Sequence, residues 1–132
     1  MSTIKNYHIA EPHFSFIKSG DKKYEGRPLE SRIITENIKD NNIIDTNEEI
    51  IIWTGPNNND FNSRIDQFNV KIIDFKGYNS IMDMLLDIEL IRILPNATSI
   101  GDAYNIYSDL RIKSGKDQDG PMIALEFKLC NL

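Results

Sequence analysis

The hydrophobic and polar positions of this chain change period several times, and each change marks an element. From residue 122 to 129 the order alternates, with Ile123, Leu125, Phe127 and Leu129 on one side and Ala124, Glu126 and Lys128 on the other. That is the clearest strand signal in the chain. Ile50-Ile51-Ile52-Trp53 is a β-branched and aromatic run of the kind that fills a buried strand. Val70, Ile72, Ile73 and Phe75 predict another strand, but the apolar side switches between Ile72 and Ile73, and a bulge would account for the switch. Residues 5 to 9 alternate loosely and predict a first strand.

Other segments carry helical spacing. Pro12 stands where a helix accepts proline in its first turn, Phe14 and Ile17 share a face, and Gly20 supplies a C-terminal stop. Ser80 with Asp83, and Ser99 with Asp102, each place a capping oxygen before a carboxylate in the first turn. Behind those caps Ile81, Leu85 and Ile88 share one face; Ala103, Tyr107 and Leu110 share another, and Pro95 separates the two helices. Residues 22 to 34 read as extended with an interruption at Pro28, residues 36 to 48 as a polar loop, and residues 55 to 60 as a turn cluster. Strand, helix, strands, two helices, strand is the order of an α+β fold. Strands at both ends favour a closed or nearly closed sheet.

Composition narrows the class. The 132 residues, 40% hydrophobic and 27% charged, suit one soluble domain over residues 1–132. No apolar run approaches the roughly 20 residues of a membrane helix, and no basic segment followed by an apolar one opens the chain. The expectation is an intracellular protein, cytoplasmic or alternatively nuclear, with no membrane partner. The single Cys130 excludes a disulfide framework and a cysteine-based zinc site. His8, Glu11 and His13 lack the i, i+4 spacing of a zinc helix, so neither a metal nor a cofactor is expected. Asp117-x-Asp119-Gly120 lacks the later ligands of a calcium loop and reads as a turn. Asn is abundant throughout, so the run Asn57-Asn58-Asn59 needs no functional reason.

Charge is unevenly spread. The net charge is −5, yet residues 1 to 39 carry seven basic and five acidic groups. A protein that coats nucleic acid wants a broad basic face, which this chain cannot supply. Any nucleic-acid contact is local, and the N-terminal third is where to look. If residues 22 to 27 form a strand, Lys23, Glu25 and Arg27 share one face and Lys22, Tyr24 and Gly26 the other. A twist at the junction after the helix would bring Lys22 to the same mouth. Arg27 offers a planar fork for phosphate or carbonyl, Glu25 an acceptor for an exocyclic amine. The same alternation also fits a surface strand laced with ion pairs. Among the aromatics, Tyr24, Tyr104 and Tyr107 read as core, and Trp53, beside the Gly55-Pro56 turn, as the best stacking residue at a rim.

The segment Pro12-His13-Phe14 through Ile17-Lys18-Ser19-Gly20-Asp21-Lys22-Lys23-Tyr24-Glu25-Gly26-Arg27 resembles the signature of ASCH domains, small PUA-like β-barrels. In these a helix ends in Ile-x-x-Gly and x-Lys-x-x-Glu-x-Arg follows. Tyr78-Asn79-Ser80, Leu85, Leu94-Pro95, Ser99-Ile100, Tyr107, and Gly120 through Glu126-Phe127 extend the resemblance over nearly the whole chain. Asn47-Glu48 stands where the family usually has Gly-Asp. The resemblance implies a PUA-like mixed β-barrel flanked by short helices, binding RNA, a nucleoside or a nucleotide beside the Lys22–Arg27 strand. Lys22, Lys23 and Arg27 would hold oxygens, Glu25 would read a base edge, and Trp53 would stack. It also implies an alternative, because some small ASCH proteins are amidohydrolases of N4-acylated cytidine that use a Lys, a hydroxyl nucleophile and a Glu. Lys22 matches that Lys, but the nucleophile position falls on Glu25, and Ser19 and Ser31 are not at the matching place. Lys22 with Glu25 would then activate water, with Glu89 as the second carboxylate. A ribonuclease of the same fold is a third reading, and a protein-interaction role for the acidic helices a fourth.

Overall fold

The computed structural model describes residues 4–130. In chain order they form β1 (Asn6–His8), α1 (His13–Ser19), β2 (Tyr24–Pro28), α2 (Arg32–Thr35), β3 (Ile38–Lys39), β4 (Asn42–Ile43), β5 (Ile50–Thr54), a 3-10 turn (Phe61–Ser63) and β6 (Asp66–Tyr78). Then come α3 (Ile81–Asp87), α4 (Leu90–Ile93), α5 (Ile100–Lys113) and β7 (Met122–Leu129). Five strands make one curled sheet in the order β1-β5-β6-β7-β2, a half-barrel with short helices around it. The α+β expectation holds, and the strands nearest both ends of the chain lie in the same sheet. Only β1 and β5 run parallel; the other neighbours are antiparallel.

β7 shows why its pattern was so clear. Ile123, Leu125 and Phe127 enter the cluster with Phe14, Ile17, Ile52 and Val70, while Met122 and Ala124 enter a second cluster with Ile81, Met84, Ala103 and Tyr107. The strand is buried on both faces because α1 covers one and α3 with α5 the other. β6 carries the expected bulge: pairing with β7 passes from Ile72↔Phe127 to Asp74↔Glu126, and Ile73 is the extra residue. Both serine caps form, Ser80 Oγ accepting from Asp83 N at 3.1 Å and Ser99 Oγ from Asp102 N at 3.0 Å. Asp119 in its turn accepts the Ile81 amide at 2.8 Å and so ties the start of α3 to β7.

Four local expectations change. Residues 32–35 are helical, not extended, because Ser31 starts a turn after Pro28. The polar loop contains the hairpin β3–β4, whose two central residues, Asp40 and Asn41, have φ of 52° and 62°, backbone that Asp and Asn tolerate. A third helix, α4, stands between the two that were expected. On α5 the buried face is Ala103, Tyr107 and Arg111, and Leu110 is exposed. Arg111 takes the inner place because its guanidinium has carbonyls to bind, Asp117 O at 2.9 Å and Pro121 O at 3.3 Å.

Candidate functional site

β1 and β2 are the two edges of the curled sheet, and the seam between them opens a pocket of about 250 Å3. Across β2 and β7, Glu25 stands opposite Leu125 and Arg27 opposite Ile123, so both point to the α1 side of the sheet. Gly26 stands opposite Ala124 and faces the helices. A Cβ on Gly26 would lie 3.0 Å from Tyr107 Oη and from Met84 Cε, so the bare backbone here lets α5 and α3 close against the strand.

Lys22 reaches this seam by a turn rather than by strand alternation. Gly20 ends α1 with φ of 87°, and its amide donates to Ile17 O at 3.0 Å. Lys22 N then donates back to Phe16 O at 3.0 Å, and the strand starts only at Tyr24. The short helix α4 completes the placement, since its last carbonyls need donors. Lys23 N donates to Arg92 O at 2.7 Å, and the Lys22 ammonium donates to Ile93 O. Lys22 is 2% exposed.

Three charges meet there. Lys22 Nζ lies 3.4 Å from Glu25 Oε1, while Arg27 Nε and Nη2 lie 3.0 and 2.9 Å from Glu25 Oε2. Arg27 Nη2 also reaches His8 O at 3.5 Å and so bridges the two edge strands. Burial alone would push the Glu25 carboxyl up, but Arg27, Lys22 and His13 outweigh it and hold the group below its usual range. Burial pulls the Lys22 ammonium down, against the opposing pull of Glu25. A carboxylate has about four acceptor sites. Three face Arg27 and Lys22, so one is left without a protein partner.

Two buried polar atoms in this pocket make no well-formed hydrogen bond among the described residues: His13 Nδ1, and Tyr107 Oη, which only the Gly26 backbone approaches. Burial lowers the pKa of His13 and keeps its ring neutral; it pushes the Tyr107 hydroxyl far up, and the nearby Glu25 adds to that. Arg111, also on the pocket wall, is spent on loop carbonyls. A buried polar atom without a partner costs stability, and these two are left so at the pocket.

The residues expected at the site divide. Lys22, Glu25 and Arg27 come together, and Lys22 replaces Lys23 as the cation beside Glu25. Lys23 is exposed and faces a separate groove with Arg92, Glu126 and Lys128, because residues 20–23 turn before the strand begins. Glu89 is exposed at the start of α4 and lines another groove with Asp74 and Lys76, away from Lys22 and Glu25. Trp53 is not a rim residue. It is 3% exposed, donates Nε1 to Asn6 Oδ1 at 3.1 Å, and packs edge-on to His8 and Phe61, bordering the cleft next to the pocket. His13 and Tyr107 are the residues sequence reasoning passed over as site groups. Nothing in a one-dimensional pattern marks an atom that lacks a partner.

Among the described residues no group of three or more His, Cys, Asp or Glu is placed to hold a metal ion. Among those residues, too, no helix is long and apolar enough to cross a membrane. The fold recurs in solved structures. Hypothetical protein PH0355 is 20% identical with a TM-score of 0.66, over 97% of this chain and 100% of that one. Protein PF0455 from Pyrococcus furiosus is 19% identical with a TM-score of 0.64, over 98% of this chain and 100% of its own. At such identities the likeness is one of fold. No family model matches the chain, and no curated protein matches it in sequence.

Proposed function

We propose that the protein is an ASCH-like binding module whose seam pocket takes a single nucleoside, free or splayed out of an RNA strand. One observation carries the reading: a charge-compensated Glu25 with one free acceptor site beside two buried, unpartnered polar atoms, His13 Nδ1 and Tyr107 Oη. A nucleobase edge mixes donors and acceptors in one plane and suits that set. The size agrees. About 250 Å3 is below the roughly 300–1,000 Å3 typical of drug-sized ligands and leaves room for one base with its sugar, not for a folded oligonucleotide.

A hydrolase reading has one observation in its favour, the buried Lys22 with its lowered pKa beside Glu25. It lacks a free side-chain nucleophile and would depend on a water activated by Lys22 and Glu25. Ser114 Oγ in the pocket wall is committed to Leu110 O at 2.9 Å, and the Tyr107 hydroxyl is harder to ionise than an ordinary phenol.

Tyr107→Phe tests the binding reading by separating stability from binding. Removing an unpaired hydroxyl should leave the denaturation midpoint unchanged or raise it, while affinity for the best nucleoside in a titration panel falls by about tenfold. Product analysis of the same mixtures should return the nucleoside intact. Failure of every nucleoside and short RNA to bind, or unchanged affinity in Tyr107→Phe, would sink the reading. Released acyl group or cleaved strand would transfer it to the hydrolase.

A further inference from the structure

A second cleft of about 310 Å3 adjoins the pocket, and the two share a wall made by His8, Arg27 and Asn58. Its chemistry is different. No Asp or Glu among the described residues lines it, although acidic groups outnumber basic ones in this chain by 20 to 15. Instead it is lined by two arginines, Arg27 and Arg32, together with Asn6, Asn58 and Asn59.

Both arginines are anchored on one side and open on the other. Arg27 is fixed through Nε and Nη2 to Glu25 and His8 O, and no described residue takes its Nη1. Arg32 donates Nη2 to Asn6 O, sits with Nε 3.5 Å from Glu36 Oε2, and lies 4.8 Å above the Tyr7 ring, yet its side chain is 62% exposed. Each guanidinium keeps donors beyond those contacts, and a cleft lined by two arginines and by no carboxylate suits the charge of a phosphate group. Asn58 and Asn59, part of a run that composition alone accounted for, stand over the same cleft as amide donors.

We propose that this cleft is a phosphate subsite, so that the ligand is a phosphorylated nucleoside: its base enters the seam pocket and its phosphate crosses the Arg27 wall to lie between Arg27 and Arg32. The inference rests on the nucleoside reading above and adds the part of the ligand that reading leaves open. The phosphate can belong to a free nucleotide or to the linkage of a strand; both present the same oxygens to the two forks.

The test compares, at one fixed low salt concentration, the affinities of a nucleoside, its 5′- and 3′-monophosphates and a dinucleoside monophosphate. A phosphorylated form should bind about tenfold or more tightly than the nucleoside, as charge-assisted hydrogen bonds allow. Arg32→Gln should bring that ratio close to one. Asn58→Asp, which sets a carboxylate against the phosphate, should reduce it as well. Lys128→Gln, an equal loss of charge on an exposed part of β7, should leave it intact. Tight binding of the dinucleoside monophosphate assigns the phosphate to a strand; preference for a monophosphate assigns it to a free nucleotide. A nucleoside that binds as well as its phosphates overturns this inference and leaves the nucleoside reading standing. So does a preference that survives Arg32→Gln, or one that falls equally in Lys128→Gln. Absence of binding by every compound overturns both.

Discussion

The molecule holds ion pairs in two contrasting settings. On the surface Lys18 meets Asp66 at 2.7 Å and Lys76 meets Asp87 at 2.6 Å, all four side chains about half exposed. At the seam Lys22, Glu25 and Arg27 meet at 2.9 to 3.4 Å, with Lys22 fully buried and Glu25 nearly so. The distances are alike; the surroundings decide the energetics. Water screens the surface pairs, so they contribute little to stability. Lys22 and Glu25 have lost their water and Arg27 part of it, and their mutual attraction only roughly offsets that cost. A charged cluster that adds little net stability and stands at a pocket is the kind of feature that marks a candidate functional site.

Removing one member of the buried set should have the largest effect. Glu25→Gln leaves Lys22 and Arg27 facing each other without a counter-charge, and a loss of about 3–5 kcal/mol is expected in urea denaturation. A loss of 1 kcal/mol or less would mean that the seam behaves like the surface. Gly26→Ala comes next, because the added carbon lies 3.0 Å from Tyr107 Oη and Met84 Cε, in the packed layer behind the same site. It should cost about 1–3 kcal/mol, whereas Gly101→Ala, whose new carbon meets only Ser99 Oγ at 3.8 Å, should stabilise α5 by up to about 1 kcal/mol; thermal melts of the two variants make the comparison.

Acid should act on the seam in two stages. Burial lowers the His13 pKa below its ordinary 6.5, so as pH falls through that value the unfolded chain takes up a proton before the folded one, and stability begins to drop. The folded Glu25 carboxyl lies below its ordinary 4.5; its contribution is complete above that value and is lost as pH falls further, toward the folded pKa. Denaturation midpoints across the acid range should therefore fall in two steps, and His13→Gln should remove the first. If the profile of that variant matches the parent, His13 is not the group responsible. The smallest effect belongs to the surface: Lys18→Ala should shift stability by no more than about 1 kcal/mol, and added salt should shrink even that. A larger, salt-insensitive loss would erase the contrast between the two settings.

Particular residues show how far each part could be read in advance. β7 was legible because burial on both faces left an apolar majority with period two. The caps at Ser80 and Ser99 were legible because an N-cap is a contact between near neighbours in the chain. The bulge at Ile73 showed as a break in periodicity. α4 did not show, since four residues between Glu89 and Leu94 are too few for a helical period to register. The site was legible as a segment, 22 to 27, and not as a geometry. Alternation placed Lys23 beside Glu25, but the turn after Gly20 exchanged it for Lys22, and the carbonyl that anchors Lys22 comes from Ile93, 71 residues away.

By itself, then, the order of residues determined the period of each long element, the caps that start α3 and α5, the stop at Gly20 and the charged segment that follows it. These depend on contacts within a few residues, and local chemistry is written locally. Tertiary structure alone decided which charges lost their water, which lysine faced Glu25, and that His13 Nδ1 and Tyr107 Oη were left without partners. Burial and hydrogen-bond satisfaction are properties of everything that surrounds an atom, and here those surroundings are assembled from β1, α1, β2, α4 and α5, which meet only when the sheet curls.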